Sequence, residues 1–363
     1  MTEQEIIKYQ VEHLREFSSR VFQRCGAIKA DADVAAEVLT TADLWGINTH
    51  GVARLNSYYE MLTYGHANPR PNIKIIRELP GTANVDGDNG LGLIVGPKAN
   101  EIAMAKAETV GAGWVSVCNS THFGIAGYYP FMALACDLVG WAMTNTTPQV
   151  APLWGRERML GTNPIAIAFP GYDEPPIIID MATSTISYGR VENAIRKAET
   201  LPTGCIADSE GVGTIRPEDM INGGAILPLG IDRERGGHKG YCLSAMVDIL
   251  CGVLSGANWG PFVPPFPHHL KSQGRAVGKG IGHLFGALMI SGFTDPVEFK
   301  RGIDEWIRVF RAAKPARDTS GPLIPGDPER EAQTIRLNGG VPLLRSVVED
   351  LRRLALRTGI LFD

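Results

Sequence analysis

In the first 65 residues apolar positions recur three and four apart, the spacing that gathers them on one face of a helix. Three helical segments are predicted. The first covers residues 3–24, and the second follows Asp31, whose carboxylate is placed to cap the run 33–44. After a break at Gly46, Asn48 or Thr49 can cap a third, which passes through Arg54, Tyr58 and Leu62 to residue 64 and ends at Gly65. From Asn72 the texture changes. Short β-branched runs at 73–76, 83–86, 114–118, 140–144, 165–169 and 177–180 alternate with helical stretches at 97–110, 126–136, 188–198 and 241–254. Such alternation marks an α/β body.

Toward the C-terminus, Asp295-Pro296-Val297-Glu298 combines an N-cap, a proline at the first helical position and a glutamate spaced for a capping box, predicting a helix over 296–313. A polar, Pro- and Gly-rich connection (314–328) leads to a last helix over 341–357. Its apolar positions Leu343, Leu344, Val347, Val348, Leu351, Leu354 and Leu356 need a partner surface, so the helical ends are expected to pack together around the α/β middle. Neither a tandem repeat nor a low-complexity tract interrupts this plan.

With 363 residues and 44% hydrophobic content the chain can bury a large core, and a formal net charge of −4 gives no electrostatic reason to expect nucleic acid or an anionic membrane as partner. A small diffusible ligand is the better expectation. The N-terminus lacks the basic segment and apolar run of a secretory signal, and no stretch is long and apolar enough to span a bilayer, so a cytoplasmic location is expected. Cys25, Cys118, Cys136, Cys205, Cys242 and Cys251 form no C-x-x-C pair, which points to reduced thiols and no metal site. His268 and His269, within the Pro-rich stretch 259–273, read as a loop feature rather than a ligand pair.

The G-x-G-x-x-G fingerprint of a Rossmann dinucleotide site is absent, as is a Walker phosphate loop. Two glycine turns remain as anion candidates or simple turns. Gly90-Leu-Gly92-Leu-Ile-Val-Gly96 has the wrong spacing, and Gly236-Gly237-His238-Lys239-Gly240 precedes an apolar helix whose N-terminus and lysine could meet an anion.

Catalytic chemistry is best suggested by Thr49-His50-Gly51-Val52-Ala53-Arg54. On a helix His50 and Arg54 would share a face, joining a group that exchanges a proton near neutral pH to a guanidinium fork that grips a carboxylate. Ser120-Thr121-His122-Phe123-Gly124-Ile125-Ala126-Gly127-Tyr128 follows a strand and leads into a helix, where α/β proteins carry ligands, and His122 is a second proton-transfer candidate. Gly161-Thr162-Asn163-Pro164 and Asp180-Met181-Ala182-Thr183-Ser184 concentrate short polar groups at strand edges, where they also serve as turns and caps.

Taken in order, these motifs, with Leu160 before the glycine turn and Gly237-His238-Lys239-Gly240-Tyr241, resemble the malate/L-lactate dehydrogenase family, which also holds sulfolactate, ureidoglycolate and diketogulonate dehydrogenases and piperideine-carboxylate reductases. The resemblance implies an α/β (α+β) fold: a mixed-sheet cofactor domain of non-Rossmann topology (73–314), with helical terminal segments (1–72 and 315–363) forming a substrate and dimerisation domain. It implies NAD, with NADP as the alternative, and a homodimer. Hydride would pass between NAD(P)H and a small 2-oxo/2-hydroxy acid, oxaloacetate/malate first. A cyclic imino acid, diketogulonate, ureidoglycolate or sulfolactate are the alternatives, and a hydroxy-acid lyase is a further one. Carried over by motif, His50 is the proton donor/acceptor, with His122 kept as a second candidate. Arg54 is the carboxylate anchor, and Thr162 is a substrate contact. The cofactor contacts are His122, Phe123, Gly124, Ile125, Ala126, Met181, Ala182, Thr183, Lys239 and Gly240, with Gly326 and Arg330 on a loop over the nucleotide. One departure stands out: the family's serine before the first histidine is Thr49, which keeps the hydroxyl and adds a methyl.

Overall fold

The computed structural model describes residues 6–266 and 275–362, so His268 and His269 lie outside the described residues. In chain order the elements are β1 (Ile6–Tyr9), α1 (Val11–Arg24), α2 (Lys29–Leu44), α3 (Leu55–Thr63), β2 (Lys74–Leu79), β3 (Thr82–Gly90), α4 (Gly92–Val110), β4 (Ala112–Ser120), α5 (Tyr128–Ala133), β5 (Leu138–Thr144), β6 (Ile165–Phe169), β7 (Ile177–Met181) and α6 (Tyr188–Lys197). They continue with β8 (Ile206–Ala207), β9 (Gly213–Thr214), β10 (Ala225–Ile226), α7 (Gly237–Asp248), β11 (Ile281–Met289), α8 (Pro296–Arg311), α9 (Asp327–Gly339), β12 (Val341–Leu344) and α10 (Arg345–Thr358).

Seven strands form the main sheet in the order β2-β3-β4-β11-β5-β6-β7. Only β3 and β4 run parallel; the other pairs are antiparallel. A doubly wound nucleotide fold needs a parallel sheet with crossover helices, so this mixed order is a different solution, as the missing fingerprint implied. Strand β11 sits at the centre, although it comes from residues 281–289 and no strand was predicted there. Its first seven residues are all buried, so it lacks the in-out alternation that reveals a half-exposed strand.

The chain ends do meet. β1 pairs with β12, Ile6 opposite Leu344 and Tyr9 opposite Val341, and Leu14 and Phe17 of α1 share one core with Val348, Leu351 and Leu354 of α10. That core continues through α2 and α3 to the sheet residues Val85, Val117 and Phe285. A functional cleft between the helical ends and the sheet therefore has packed walls on both sides.

Several predicted boundaries are corrected. The first helix begins at Val11, because Ile6–Tyr9 is pulled into a strand by its partner β12. α2 starts at Lys29 without a side-chain cap; Asp31 lies inside it and takes Lys98 Nζ at 2.6 Å. α4 begins at Gly92, five residues before Pro97, because Gly92 allows close approach to the backbone of Thr121 and His122. α5 is shortened to Tyr128–Ala133, followed by a 3-10 turn, and α7 starts at Gly237 and widens into a π-helix over Ile249–Val253. α9 fills the residues left without an element between the predicted connection and the last helix, and residues 341–344 are a strand rather than the start of that helix. The capped helix stands as expected: Asp295 accepts from the N–H groups of Val297 and Glu298 at 2.9 and 3.0 Å.

Candidate active site

The segment after α2 is not the helix predicted for it. Residues Asn48–His50 and Val52–Arg54 form two 3-10 turns before α3 begins. The cause is Asp43, buried on α2, whose Oδ2 accepts the Val52 N–H at 2.7 Å and takes the space where a Cβ on Gly51 would stand. The loop is thus tied back to α2 in its middle. His50 and Arg54 still reach one cavity of about 260 Å³, because two tight turns replace the single helical face.

Arg54 is held from two directions. Its Nε donates to Thr49 O at 2.8 Å and its Nη2 to Glu192 Oε2 of α6 at 2.9 Å, so the fork is fixed with Nη1 unbonded among the described residues. Thr49 Oγ1 lies 2.9 Å from His50 Nδ1 and fixes that ring. The added methyl of Thr49 rests against Gly189, where a Cβ would come within 2.9 Å of it, so the departure from serine is absorbed by a glycine on α6. Burial, aided by the Arg54 charge, lowers the pKa of His50 to about 4, leaving the imidazole neutral at physiological pH.

The opposite wall follows β4. His122 stacks 5.7 Å from the His50 ring and 4.2 Å from Phe266. Its Nδ1 receives the Gly124 N–H at 3.2 Å and lies 2.6 Å from Tyr58 Oη. An amide N–H can only donate, so Nδ1 is the acceptor and the proton of the neutral ring sits on Nε2. Burial, with the neighbouring His50 and Arg54, holds its pKa well below the ordinary 6.5. Behind it Phe123 stacks on His283 at 4.8 Å, and His283 is pinned between the hydroxyls of Thr144 and Ser120 at 2.7 and 2.9 Å.

Of the residues singled out from sequence, the structure brings Thr49, His50, Arg54, His122, Phe123, Gly124, Ile125, Ala126, Thr162 and Ala182 onto the cavity. Others lie outside its lining. Thr183 is buried behind the wall, donating to Thr162 O and Asn163 O at 3.1 and 3.0 Å, and Met181 ends β7 beside it. Lys239 is exposed, and Gly240 packs on the backbone of Leu229. Gly326 and Arg330 open α9 against β7, Arg330 Nη1 donating to Pro176 O at 2.7 Å. The Gly90–Gly96 turn is filled by protein, since Gly92 N–H is taken by Thr121 Oγ1 at 3.1 Å.

Sequence reasoning passed over several lining residues: Thr146, Gln149, Tyr188 and Phe266. Tyr58, which orients His122, was read only as a helix position; its place four after Arg54 and eight after His50 was the available signal. Asp180 stood in a motif already noted. Its Oδ2 accepts Gly127 N–H at 2.7 Å, and burial raises its pKa to about 6. Small side chains at Gly124, Ala126 and Ala182 leave a shallow wall beside the hydroxyls and amide of Thr146, Thr147 and Gln149. A flat ring bearing a carboxamide fits such a surface. Among the described residues no group of three or more His, Cys, Asp or Glu side chains could hold a metal, and no helix is long and apolar enough to cross a membrane.

Over residues 9–352 the chain matches the family model described as malate/L-lactate dehydrogenase. It belongs to that family. The malate/L-lactate dehydrogenase family is a family of oxidoreductases, and membership makes this chain an enzyme that works with a nicotinamide cofactor. Among its relatives, the malate dehydrogenase of Pyrococcus horikoshii is 40% identical over 355 residues, 98% of this chain and 96% of that one. The L-sulfolactate dehydrogenase of Methanocaldococcus jannaschii is 38% identical over 340 residues, 94% of each. Among solved structures, the malate dehydrogenase of Entamoeba histolytica superimposes with a TM-score of 0.92 at 31% identity, covering 99% of both chains. That of Pyrococcus horikoshii gives 0.90 at 38% identity, covering 99% of this chain and 98% of the other.

Proposed function

We propose that this dehydrogenase interconverts a 2-oxo acid and its 2-hydroxy acid, oxaloacetate and malate first, with NAD as cofactor and NADP as the alternative. The observation that carries the reading is the convergence of one guanidinium and two neutral imidazoles on a single cavity. When bound, the reduced nicotinamide supplies the hydride. Arg54 receives the C1 carboxylate on its unbonded Nη1 end, and His122 donates its Nε2 proton in a hydrogen bond to the C2 oxygen. His50, neutral in the resting site, takes the C2 hydroxyl proton when the hydroxy acid is oxidised and, once protonated, returns it to the C2 oxygen when the oxo acid is reduced. His122 is less suited to that task, because Nε2 is already protonated and Nδ1 is occupied by Gly124 and Tyr58. Burial is the main cause of the depressed His50 pKa and the Arg54 charge the second; carboxylate binding to Arg54 offsets that second part and so raises the basicity of the group that must carry a proton.

Residues His122 to Ala126 and Ala182 line the side assigned to the nicotinamide, with Met181 and Thr183 supporting it. Lys239, Gly240, Gly326 and Arg330 are assigned to more distant parts of the cofactor. In this reading the helical ends (1–72 and 315–363) supply the acid side and the body (73–314) the cofactor side. Pairing of two copies is part of the reading, and the exposed apolar positions Tyr241, Met246, Ile249 and Val253 on α7 and its π-helical continuation assign it to the body rather than to the helical ends expected from sequence; sedimentation equilibrium tests it. A cytoplasmic setting is supported by six cysteines free of disulfides.

A second substrate, a sulfonated 2-oxo acid, is favoured by the 38% identity to an L-sulfolactate dehydrogenase. Loss of reduced-nicotinamide absorbance, followed with oxaloacetate, pyruvate, sulfopyruvate and a cyclic imino acid and with each cofactor in turn, decides among them. Oxaloacetate with NADH is expected to give the highest kcat/KM. Turnover of none of the four acids would overturn the reading.

A further inference from the structure

Asp43 has no place in the chemistry above, yet it is a carboxylate with no exposed surface, six residues before Thr49. Burying such a group is costly unless its partners hold it. Oδ2 spends itself on one backbone N–H, that of Val52, midway between His50 and Arg54, while Oδ1 is buried without a hydrogen bond. Gly51 is shaped around it: a Cβ there would lie 2.0 Å from Oδ1 and 2.2 Å from Cγ. The loop and the carboxylate are therefore fitted to one another and to little else.

A second clamp reaches the same loop from the far end of the chain. Arg336, on α9, donates through Nη1 both to the carbonyl oxygen of Asp43 and to Asn48 Oδ1, joining the end of α2 to the first residue of the 3-10 turns. Its guanidinium is also near enough to interact with the Asp43 carboxylate. α9 is itself fixed to the sheet at its start, where Ile178 N–H donates to Pro325 O at 3.2 Å and Arg330 reaches Pro176 O at 2.7 Å. The loop carrying His50 and Arg54 is thus held at its middle by α2 and at its start by α9.

We infer that Asp43 and Arg336 are a pair of positioning residues that set the separation of His50 and Arg54, and so fix the acid substrate relative to the proton carrier without touching it. This rests on the roles given to His50 and Arg54 under the proposed function. Wild-type turnover of the acid panel tests that reading separately, and the variants below are read only as ratios to wild type.

The test uses full-length Asp43→Ala, Asp43→Asn, Arg336→Ala and Arg336→Lys enzymes. Folded enzyme is counted by titration with NADH, followed by fluorescence. Misplacement by about an ångström costs up to ~100-fold, so Asp43→Ala is expected to lower kcat/KM for the oxo acid by roughly 10- to 100-fold per folded site, with the NADH Kd within about twofold. Asp43→Asn keeps a carbonyl oxygen for Val52 N–H and is expected to recover most of that loss. Arg336→Ala should raise KM for the acid more than it lowers kcat, because it frees the loop without removing the Val52 bond, and Arg336→Lys should recover part. If Asp43→Ala does not fold, the Arg336 pair carries the decision. The inference fails if Arg336→Ala leaves KM for the acid unchanged. It fails also if, in any folded variant, the NADH Kd and the acid KM deteriorate in parallel, which is the mark of a general structural defect.

Discussion

The loop Asn48–Arg54 and the segment His122–Ala126 meet where the His50 and His122 rings stack, and they are held in place by different physics. The loop has little core of its own. Of its residues only Gly51 and Val52 are fully buried, with His50 half-buried in the cavity wall, and its shape comes from directional bonds to Asp43, Glu192 and Arg336, residues drawn from three helices. The strand-end segment is packed instead: Phe123, Gly124, Ile125 and Ala126 are buried, and stacking on Phe266 and His283 sets its geometry. Polar bonds suit a wall that must present charge to a substrate, since each fixes a direction. Close packing suits a wall that must present a flat surface to a ring.

This contrast can be broken most sharply at His50. Replacement by Gln keeps a polar group but removes proton transfer, and a drop in kcat of ~10²- to 10⁴-fold is expected, with acid and cofactor binding retained in equilibrium titrations. The wild-type pH profile carries the same information. A histidine with a pKa near 4 is neutral above that value, so kcat/KM for hydroxy-acid oxidation should hold down to about pH 5 rather than fall below the ordinary 6.5. The matching sign for stability is that the neutral ring's contribution is full above pH 6.5 and is lost as pH falls from 6.5 through 4. A profile that breaks near 6.5 would show that the loop leaves His50 in water.

Next in size is Arg54→Leu. Removing one partner of a buried charge pair costs about 2–5 kcal/mol, so KM for the acid should rise steeply while the cofactor Kd stays constant. Equal losses for acid and cofactor would assign Arg54 to neither wall alone. The smallest effect is expected on the packed side. Tyr58→Phe removes one of the two donors that face His122 Nδ1 and leaves the Gly124 N–H and the Phe266 stack, so a fall in kcat of about tenfold or less is expected from the loss of ~1 kcal/mol. A larger fall would mean that hydrogen bonding, rather than packing, sets the pose of that ring.

The helices with strong local signals were legible. Asp295-Pro296 with Glu298 announced α8 through cap chemistry, and the apolar positions of α1, α2 and α10 announced a joined helical end. The strands β2 to β7 were legible as short runs. What escaped was structure made by distant partners. Ile6–Tyr9 reads as helix until β12 is beside it, and β11 offers no alternation because both its faces are covered. At the site, the motif residues, Asp180 among them, stood out from the sequence, whereas Tyr58 and Phe266 looked like ordinary helix and loop positions until the fold placed them around His122 and the cavity.

By itself the sequence pointed to the kind of chemistry, because a histidine, an arginine and the strand-end motifs stand in an order that resembles one family of dehydrogenases. It also settled the absence of a Rossmann turn and the helical character of both ends, which are local matters of spacing and capping. Only the tertiary structure decided that residues 48–54 are two tight turns rather than a helix, that His122 keeps its proton on Nε2, and that β11 divides the sheet. The loop is clamped by Glu192 and Arg336 and β11 is covered by β4 and β5, partners supplied from far along the chain, whereas the bonds from Val52 to Asp43 and from Gly124 to His122 are short-range contacts that only the folded turns bring into register.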